Sequence, residues 1–264
     1  VKILHDVNLK LEDHLLYVFT GPNGGGKSTL AKAIMGIYPA TTGEILLNGQ
    51  DITSLSITER ARLGVGYAFQ QPPRFKGLTV GRMLEIACGK NRSCVECNQL
   101  YSVGLCPQDY VAREVDTSLS GGEVKRIEIA TLLVRDLKVA IDDETEAGID
   151  LWSFSRLVET FNNLHAEFDT TIILISHQER IINRADEIIL VADGTVKQKG
   201  KKDEIWPLIM KDAACSCRGT CEEGVGEKGS FNPCFRGSRP RTSSKIITPS
   251  WNLSFNPCFR GSRP

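Results

Sequence analysis

Apolar and polar residues alternate from Leu4 to Leu11, the period of a strand that shows one face to a core. From Leu15 to Thr20 the alternation gives way to an unbroken apolar run stopping at Gly21, the pattern of a central strand buried on both faces. Lys27–Gly36 then carries helical spacing, and Gly43–Leu47 and Gly64–Phe69 are further strand candidates. Residues 72–118 change character, with helical patterns and no convincing strand, and are expected to form a small helical subdomain. Apolar strand runs return at Lys138–Ile141, Thr171–Ile175 and Ile188–Val191, with a helix predicted over Leu151–Phe168 between the first two. Strand and helix in alternation predict an α/β core with a mainly parallel sheet, built from residues 1–71 and 119–210. After about residue 210 the pattern dissolves into Gly, Pro, Ser, Arg and Cys, and residues 211–264 are expected to be a disordered tail.

Charge sharpens the boundary at the tail. The chain is formally neutral, but residues 213–264 hold eight Lys/Arg against three Glu, which leaves the tail at +5 and the body at −5. An acidic body argues against broad binding to nucleic acid or anionic membranes. No apolar run approaches the ~20 residues of a membrane-spanning helix, and nothing at the N-terminus resembles a signal peptide, so a cytoplasmic protein without direct membrane insertion is expected. The nine cysteines are then read as reduced thiols. Cys94-x-x-Cys97, with Cys88 and Cys106 nearby, and Cys215, Cys217 and Cys221 in the tail are weaker candidates for metal ligation. Within the tail, Ser230–Pro240 recurs unchanged as Ser254–Pro264 with a period of 24 residues. A structural repeat drifts between copies. An unchanged copy with an unrelated spacer suggests repeated DNA, as in a CRISPR array translated past the end of a gene; a tandem binding element is the alternative.

The first chemistry-bearing motif is Gly21-Pro22-Asn23-Gly24-Gly25-Gly26-Lys27-Ser28-Thr29, which matches G-x-x-x-x-G-K-[ST] between an apolar strand and a helix. Glycines let backbone N–H groups turn inward toward an anion, and the helix N-terminus adds unpaired donors and a positive dipole end. Lys27 would set a cation on the β- and γ-phosphates, and the Ser28 hydroxyl would reach Mg²⁺. ATP and Mg²⁺ are the expected substrate and cofactor.

Further segments narrow the reading. Leu119-Ser120-Gly121-Gly122-Glu123 resembles the signature of the ATP-binding cassette (ABC) ATPases, with Glu in the place of the commoner Gln. Val139-Ala-Ile-Asp142-Asp143-Glu144 follows, similar to the family's apolar strand ending in Asp-Glu. The resemblance covers residues 1–210 and implies a P-loop NTPase core with a helical subdomain and an ATP-dependent homodimer. In it Ser120, Gly121 and Gly122 cap the γ-phosphate held by the opposing subunit. The match of Ala147-Gly148-Ile149-Asp150 to the family's D-loop implies that Asp143 contacts the metal, Glu144 polarises the attacking water and Asp150 joins the ATP site. Gln70 matches the Q-loop glutamine that contacts Mg²⁺, and His177 the switch histidine near the γ-phosphate. His5, His14 and His165 are read as structural or solvated. Asp142 departs from the pattern by standing in an apolar place. Three adjacent carboxylates should repel one another and raise some pKa values, so Asp142 is either a tuning device or a defect. The adenine-stacking aromatic of the family is expected upstream of Val1.

Most ABC ATPases drive transporters. Several stretches instead look like SufC, the soluble ATPase of iron–sulfur cluster assembly: Gly21–Lys32, Ala68–Pro72, Ser120–Glu128, Glu146–Ser153 and Ser176–Ile181. That likeness implies a SufB-like scaffold partner docking on the insert after Gln70. The alternatives are a transporter motor subunit and an ATP-binding switch of low turnover.

Overall fold

The computed structural model describes residues 3–89, 96–144, 170–216 and 251–255. In chain order the first elements are β1 (Val7–Leu11), β2 (Leu16–Thr20), α1 (Lys27–Met35), β3 (Gly43–Leu47), β4 (Gln50–Asp51), α2 (Ile57–Arg62) and β5 (Val65–Ala68). Next come β6 (Phe75–Thr79), α3 (Val80–Cys88), α4 (Glu96–Ser102), α5 (Pro107–Tyr110), β7 (Glu114–Val115), α6 (Gly121–Leu133) and β8 (Val139–Asp143). The described chain closes with β9 (Thr171–Ile175), α7 (Glu179–Ile182), β10 (Glu187–Ala192), β11 (Thr195–Lys201), α8 (Lys202–Ser216) and β12 (Trp251–Phe255). These elements fall into two units, one of Val1–Glu12, Tyr17–Leu55 and His177–Pro264, the other of Asp13–Leu16 and Ser56–Ser176.

In the first unit, β2 lies parallel to β10 in the register Val18↔Ile188 and Thr20↔Leu190, and β10 continues antiparallel into β11. All five residues of β2 are buried, which is why the run Leu-Tyr-Val-Phe-Thr shows no alternation. Helix α1 leaves directly from the glycine loop after β2, and Leu30, Ala31 and Ile34 bury its inner face. Burial of Leu30 and of Ile34 contributes ~1.5–3 kcal/mol each, which fixes the helix N-terminus that carries Lys27. Gly36, in the left-handed region at φ 83°, ends the helix by returning its N–H to the Ala33 carbonyl.

A second sheet of the first unit runs β1–β12–β3–β4. Strand β12 pairs antiparallel with β1 (Leu9↔Leu253) and with β3 (Ile45↔Leu253). The tail, residues 211–264, was expected to be disordered; here residues 211–216 continue α8 and Trp251–Phe255 form a strand. The physical reason is that Trp251-x-Leu253-x-Phe255 has strand period, and the unpaired edges of β1 and β3 need backbone partners. The two 11-residue copies otherwise lie outside the described residues.

In the second unit, β5, β8 and β9 run parallel, with Tyr67 opposite Ile141 and Ile141 opposite Ile173. Parallel pairing in this register brings three strand ends to one edge: Phe69 and Gln70 follow β5, Glu144 follows β8, and Ser176 follows β9. Helices α3, α4 and α5 lie within 72–118, together with a ladder of β6 and β7 that the sequence pattern did not predict. Both α2 and α6 start in capping boxes, Ser56 with Glu59 and Ser120 with Glu123. Among the described residues no helix is long and apolar enough to cross a membrane.

Candidate active site

The phosphate loop is built by the first unit. Its turn out of β2 demands glycine at Gly21, where φ is 135° and a Cβ would stand 2.1 Å from the Val191 carbonyl oxygen. Gly24 and Gly26 are also in the left-handed region, while Asn23 and Gly24 form the exposed apex. Gly21→Ala is therefore expected to lower stability by on the order of 3 kcal/mol, read as a fall in the urea midpoint. An unchanged midpoint would show that the loop shifts freely.

Lys27 is 4% exposed. Its ammonium donates to the carbonyl oxygens of Gly21 (2.9 Å) and Pro22 (3.0 Å), which aim it back along the loop. His177, just after β9 in sequence, belongs to the same unit. Burial, with the Lys27 charge adding to it, lowers the His177 pKa and keeps the imidazole neutral near pH 7. Its Nε2 is buried without a hydrogen-bond partner among the described residues. Ser28 and Thr29 occupy the first turn of α1, half-buried.

The second unit gathers the carboxylates. Asp142 and Asp143 are each 1% exposed on β8. The expected repulsion among Asp142, Asp143 and Glu144 is relieved because each has its own donor. Lys125 Nζ lies 2.9 Å from Asp142 Oδ1, the Tyr67 hydroxyl donates to Asp143 Oδ2 at 2.7 Å, and Gln70 Nε2 donates to Glu144 Oε2. Gln70 and Glu144, 74 residues apart in sequence, are thus brought together. Glu144 has a left-handed backbone, φ 58°, and its N–H donates to the Ile175 carbonyl at 3.2 Å. A non-glycine residue held there stores strain, as residues of functional sites often do.

Glu128 is a further buried carboxylate, on α6. Burial raises Glu128 to about 7, against the pull of the Lys125 charge and the Phe69 N–H. Burial alone would discharge Lys125, but Asp142 and Glu128 outweigh it and raise its pKa. Tyr67, Lys125 and Glu128 were given no role in the site by the sequence, although Lys125 and Glu128 lie in the Ser120–Glu128 stretch. The signal for two of them was a Lys-x-x-Glu pair on the apolar stripe of α6, beside Val124 and Ile127.

At the signature, Ser120 is the N-cap of α6, and its hydroxyl accepts from the Glu123 N–H at 3.2 Å. Glu123 accepts from the Ser120 N–H at 2.7 Å and from the Tyr110 hydroxyl, with Arg113 3.4 Å away. Burial pulls its pKa up, but those hydrogen bonds and the Arg113 charge outweigh burial and hold it at about 2. A folded pKa below the unfolded value contributes stability that is present above pH ~4.3 and lost as pH falls toward 2. Glu123→Gln should therefore show a smaller loss of urea midpoint than wild type on acidification across that window. Equal losses would mean that the carboxylate is not held ionised. Gly121 opens α6, and a Cβ added there would meet nothing within 4 Å; Gly122 follows it, half-buried.

Asp150, the D-loop, the helix predicted over 151–168, Cys94 and the cysteines Cys217 and Cys221 lie outside the described residues. Cys88 and Cys106 are free thiols, and among the described residues no cluster of His, Cys, Asp or Glu suits a metal ion.

The chain is similar to known proteins in sequence and in fold. Residues 4–147 match the family model described as ABC transporter. A Methanocaldococcus jannaschii protein named as an uncharacterized ABC transporter ATP-binding protein, MJ0035, is 38% identical over 220 residues, 80% of this chain and 88% of its own length. The probable ATP-dependent transporter ycf16 of Antithamnion sp. is 32% identical over 225 residues, 78% of this chain and 88% of its own. In fold, the chain is similar to the dimeric structure of MJ0796, a bacterial ABC transporter cassette, with TM-score 0.69 at 22% identity, over 76% of this chain and 90% of that one. On the family match and the identity to MJ0035, the chain belongs to the ABC transporter ATP-binding family and is an ATPase.

Proposed function

We propose that the chain is the ATP-hydrolysing motor subunit of an ABC transporter, working as a homodimer that closes around two MgATP molecules. The observation that carries the catalytic part is the Gln70–Glu144 pair at the end of β8, a carboxylate held by an amide and aimed by a strained backbone. The transporter part is supported by the names of the relatives, including the sulfate/thiosulfate import ATP-binding protein CysA of Synechocystis, 32% identical over 220 residues.

In this reading the N–H groups of residues 21–29 cradle the phosphates, and Lys27 supplies the counter-charge. Glu144 takes a proton from the attacking water. His177 offers its unpartnered Nε2 to the γ-phosphate. Magnesium takes hard oxygen donors, and the Ser28 hydroxyl, the Asp143 carboxylate and the Gln70 amide fit that demand. When bound, the ion neutralises charge on the β- and γ-phosphates. Ser120, Gly121 and Gly122 of a second copy seal the nucleotide, with Asp150 at the same junction. The space beside Gly121 supports this, since among the described residues none comes within 4 Å of a Cβ placed there.

A second reading, ATPase of iron–sulfur assembly on a SufB-like scaffold, rests on the Ser120–Glu128 and Ser176–Ile181 stretches and would use the insert after Gln70, residues 72–116, as the docking surface. Affinity purification from the native host separates the two. Detergent-dependent recovery of membrane subunits supports the transporter motor; recovery of a soluble scaffold without them overturns it in favour of assembly.

A further inference from the structure

Lys125 and Glu128 sit one turn apart on α6 and together take both backbone polar groups of one residue outside the helix, Phe69. Lys125 Nζ donates to the Phe69 carbonyl at 2.6 Å, and Glu128 Oε1 accepts from the Phe69 N–H at 2.9 Å. The two side chains also meet each other at 3.2 Å. Asp142, from β8, completes the group at 2.9 Å from Lys125 Nζ. All three are nearly closed to solvent: Lys125 and Asp142 are 1% exposed and Glu128 7%. Buried charges cannot exchange partners with water, so this contact is stiff.

Its position gives it a consequence. Helix α6 opens at the signature glycines, and Phe69 immediately precedes Gln70, whose amide holds Glu144. A continuous run of contacts therefore leads from Ser120–Gly122 along α6, through Lys125 and Glu128, to the Phe69 peptide, Gln70 and Glu144. We propose that Lys125 and Glu128 are positioning residues that transmit the placement of the signature helix to Gln70 and Glu144, and that Asp142 is the charge that anchors Lys125 in this clamp. Asp142 then has a reason to stand in an otherwise apolar strand. Leucine at that place would leave Lys125 tied to α6 and β5 but not to β8, the strand that ends at Glu144. The inference rests on the reading of the signature as the seal on a second copy's nucleotide: sealing moves or fixes α6, and the clamp reports this to the residue that activates water.

The test compares Lys125→Met/Asp142→Leu, an apolar replacement of similar volume that a buried pair tolerates, with Glu128→Leu and with Glu128→Gln, which keeps an acceptor for the Phe69 N–H. Four quantities are read: thermal midpoint, affinity for MgATP by equilibrium dialysis, MgATP-dependent dimerisation, and turnover. The clamp predicts that the double variant and Glu128→Leu keep MgATP affinity within about threefold and still dimerise, yet lose turnover by about tenfold or more. Glu128→Gln should stay within about threefold of wild type. Turnover within twofold of wild type in the double variant and Glu128→Leu overturns the proposal. So does a loss of turnover that merely tracks loss of affinity or of thermal midpoint, which is a structural role only. If the double variant does not fold, the contrast between Glu128→Leu and Glu128→Gln decides. Wild type that neither dimerises nor hydrolyses with MgATP would instead bring down the functional reading on which this rests.

Discussion

Glu144→Gln is expected to lower ATP turnover by ~10²–10⁴, the contribution of a positioned general base. The substitution keeps the shape of the side chain and an oxygen able to accept from Gln70 Nε2, so the pairing that holds residue 144 survives. What it removes is the capacity to accept a proton from water. The Asp143–Tyr67 and Asp142–Lys125 contacts do not involve this side chain, so folding and nucleotide binding should be preserved. Turnover at saturating MgATP is the measurement. A variant within about threefold of wild type would remove Glu144 from the role of base and return the assignment to Asp143, its neighbour on β8.

Gly121→Val carries the second large effect, for the opposite reason. At Gly21 the fold itself objects to a side chain, because the Val191 carbonyl blocks it. At Gly121 it does not: an added Cβ meets none of the described atoms within 4 Å, and the residue is exposed at the start of α6. Exposed substitutions of this kind usually stay within about 0.5 kcal/mol, so the thermal midpoint and the MgATP affinity of the protomer should hold. Close approach of a second copy's γ-phosphate to this backbone would be blocked, and turnover should fall by ~10² or more, the scale for losing preorganised donors at a reacting oxyanion. Full turnover with valine at this position would mean that the signature does not meet nucleotide.

The contrast between these two glycines also marks what was legible in the sequence. Contiguous features were: the phosphate loop is nine neighbouring residues, and the doubly buried strands β2, β8, β9 and β10 announce themselves as apolar runs. The ladder of β6 and β7 was not legible, because Phe75–Thr79 is exposed at its start and has no apolar run, and it pairs with a two-residue strand far along the chain. Asp142 was visible as an anomaly but not interpretable, since its meaning lies in Lys125, 17 positions earlier on another element. Lys125 and Glu128 hide in an apolar stripe, where charged residues signal a buried pair, yet nothing local says with what they pair. The same holds for Tyr67, whose hydroxyl looked like ordinary strand chemistry until Asp143 appeared beside it. Glu128, whose pKa burial raises, carries no sequence motif that marks it as a perturbed carboxylate.

Sedimentation velocity on the hydrolysis-impaired Glu144→Gln protein addresses the dimer most directly. Addition of MgATP should double its mass, and ADP or removal of magnesium should return it to a single protomer. Saturating, demonstrably bound MgATP with the mass of one protomer throughout would contradict a nucleotide sealed between two copies.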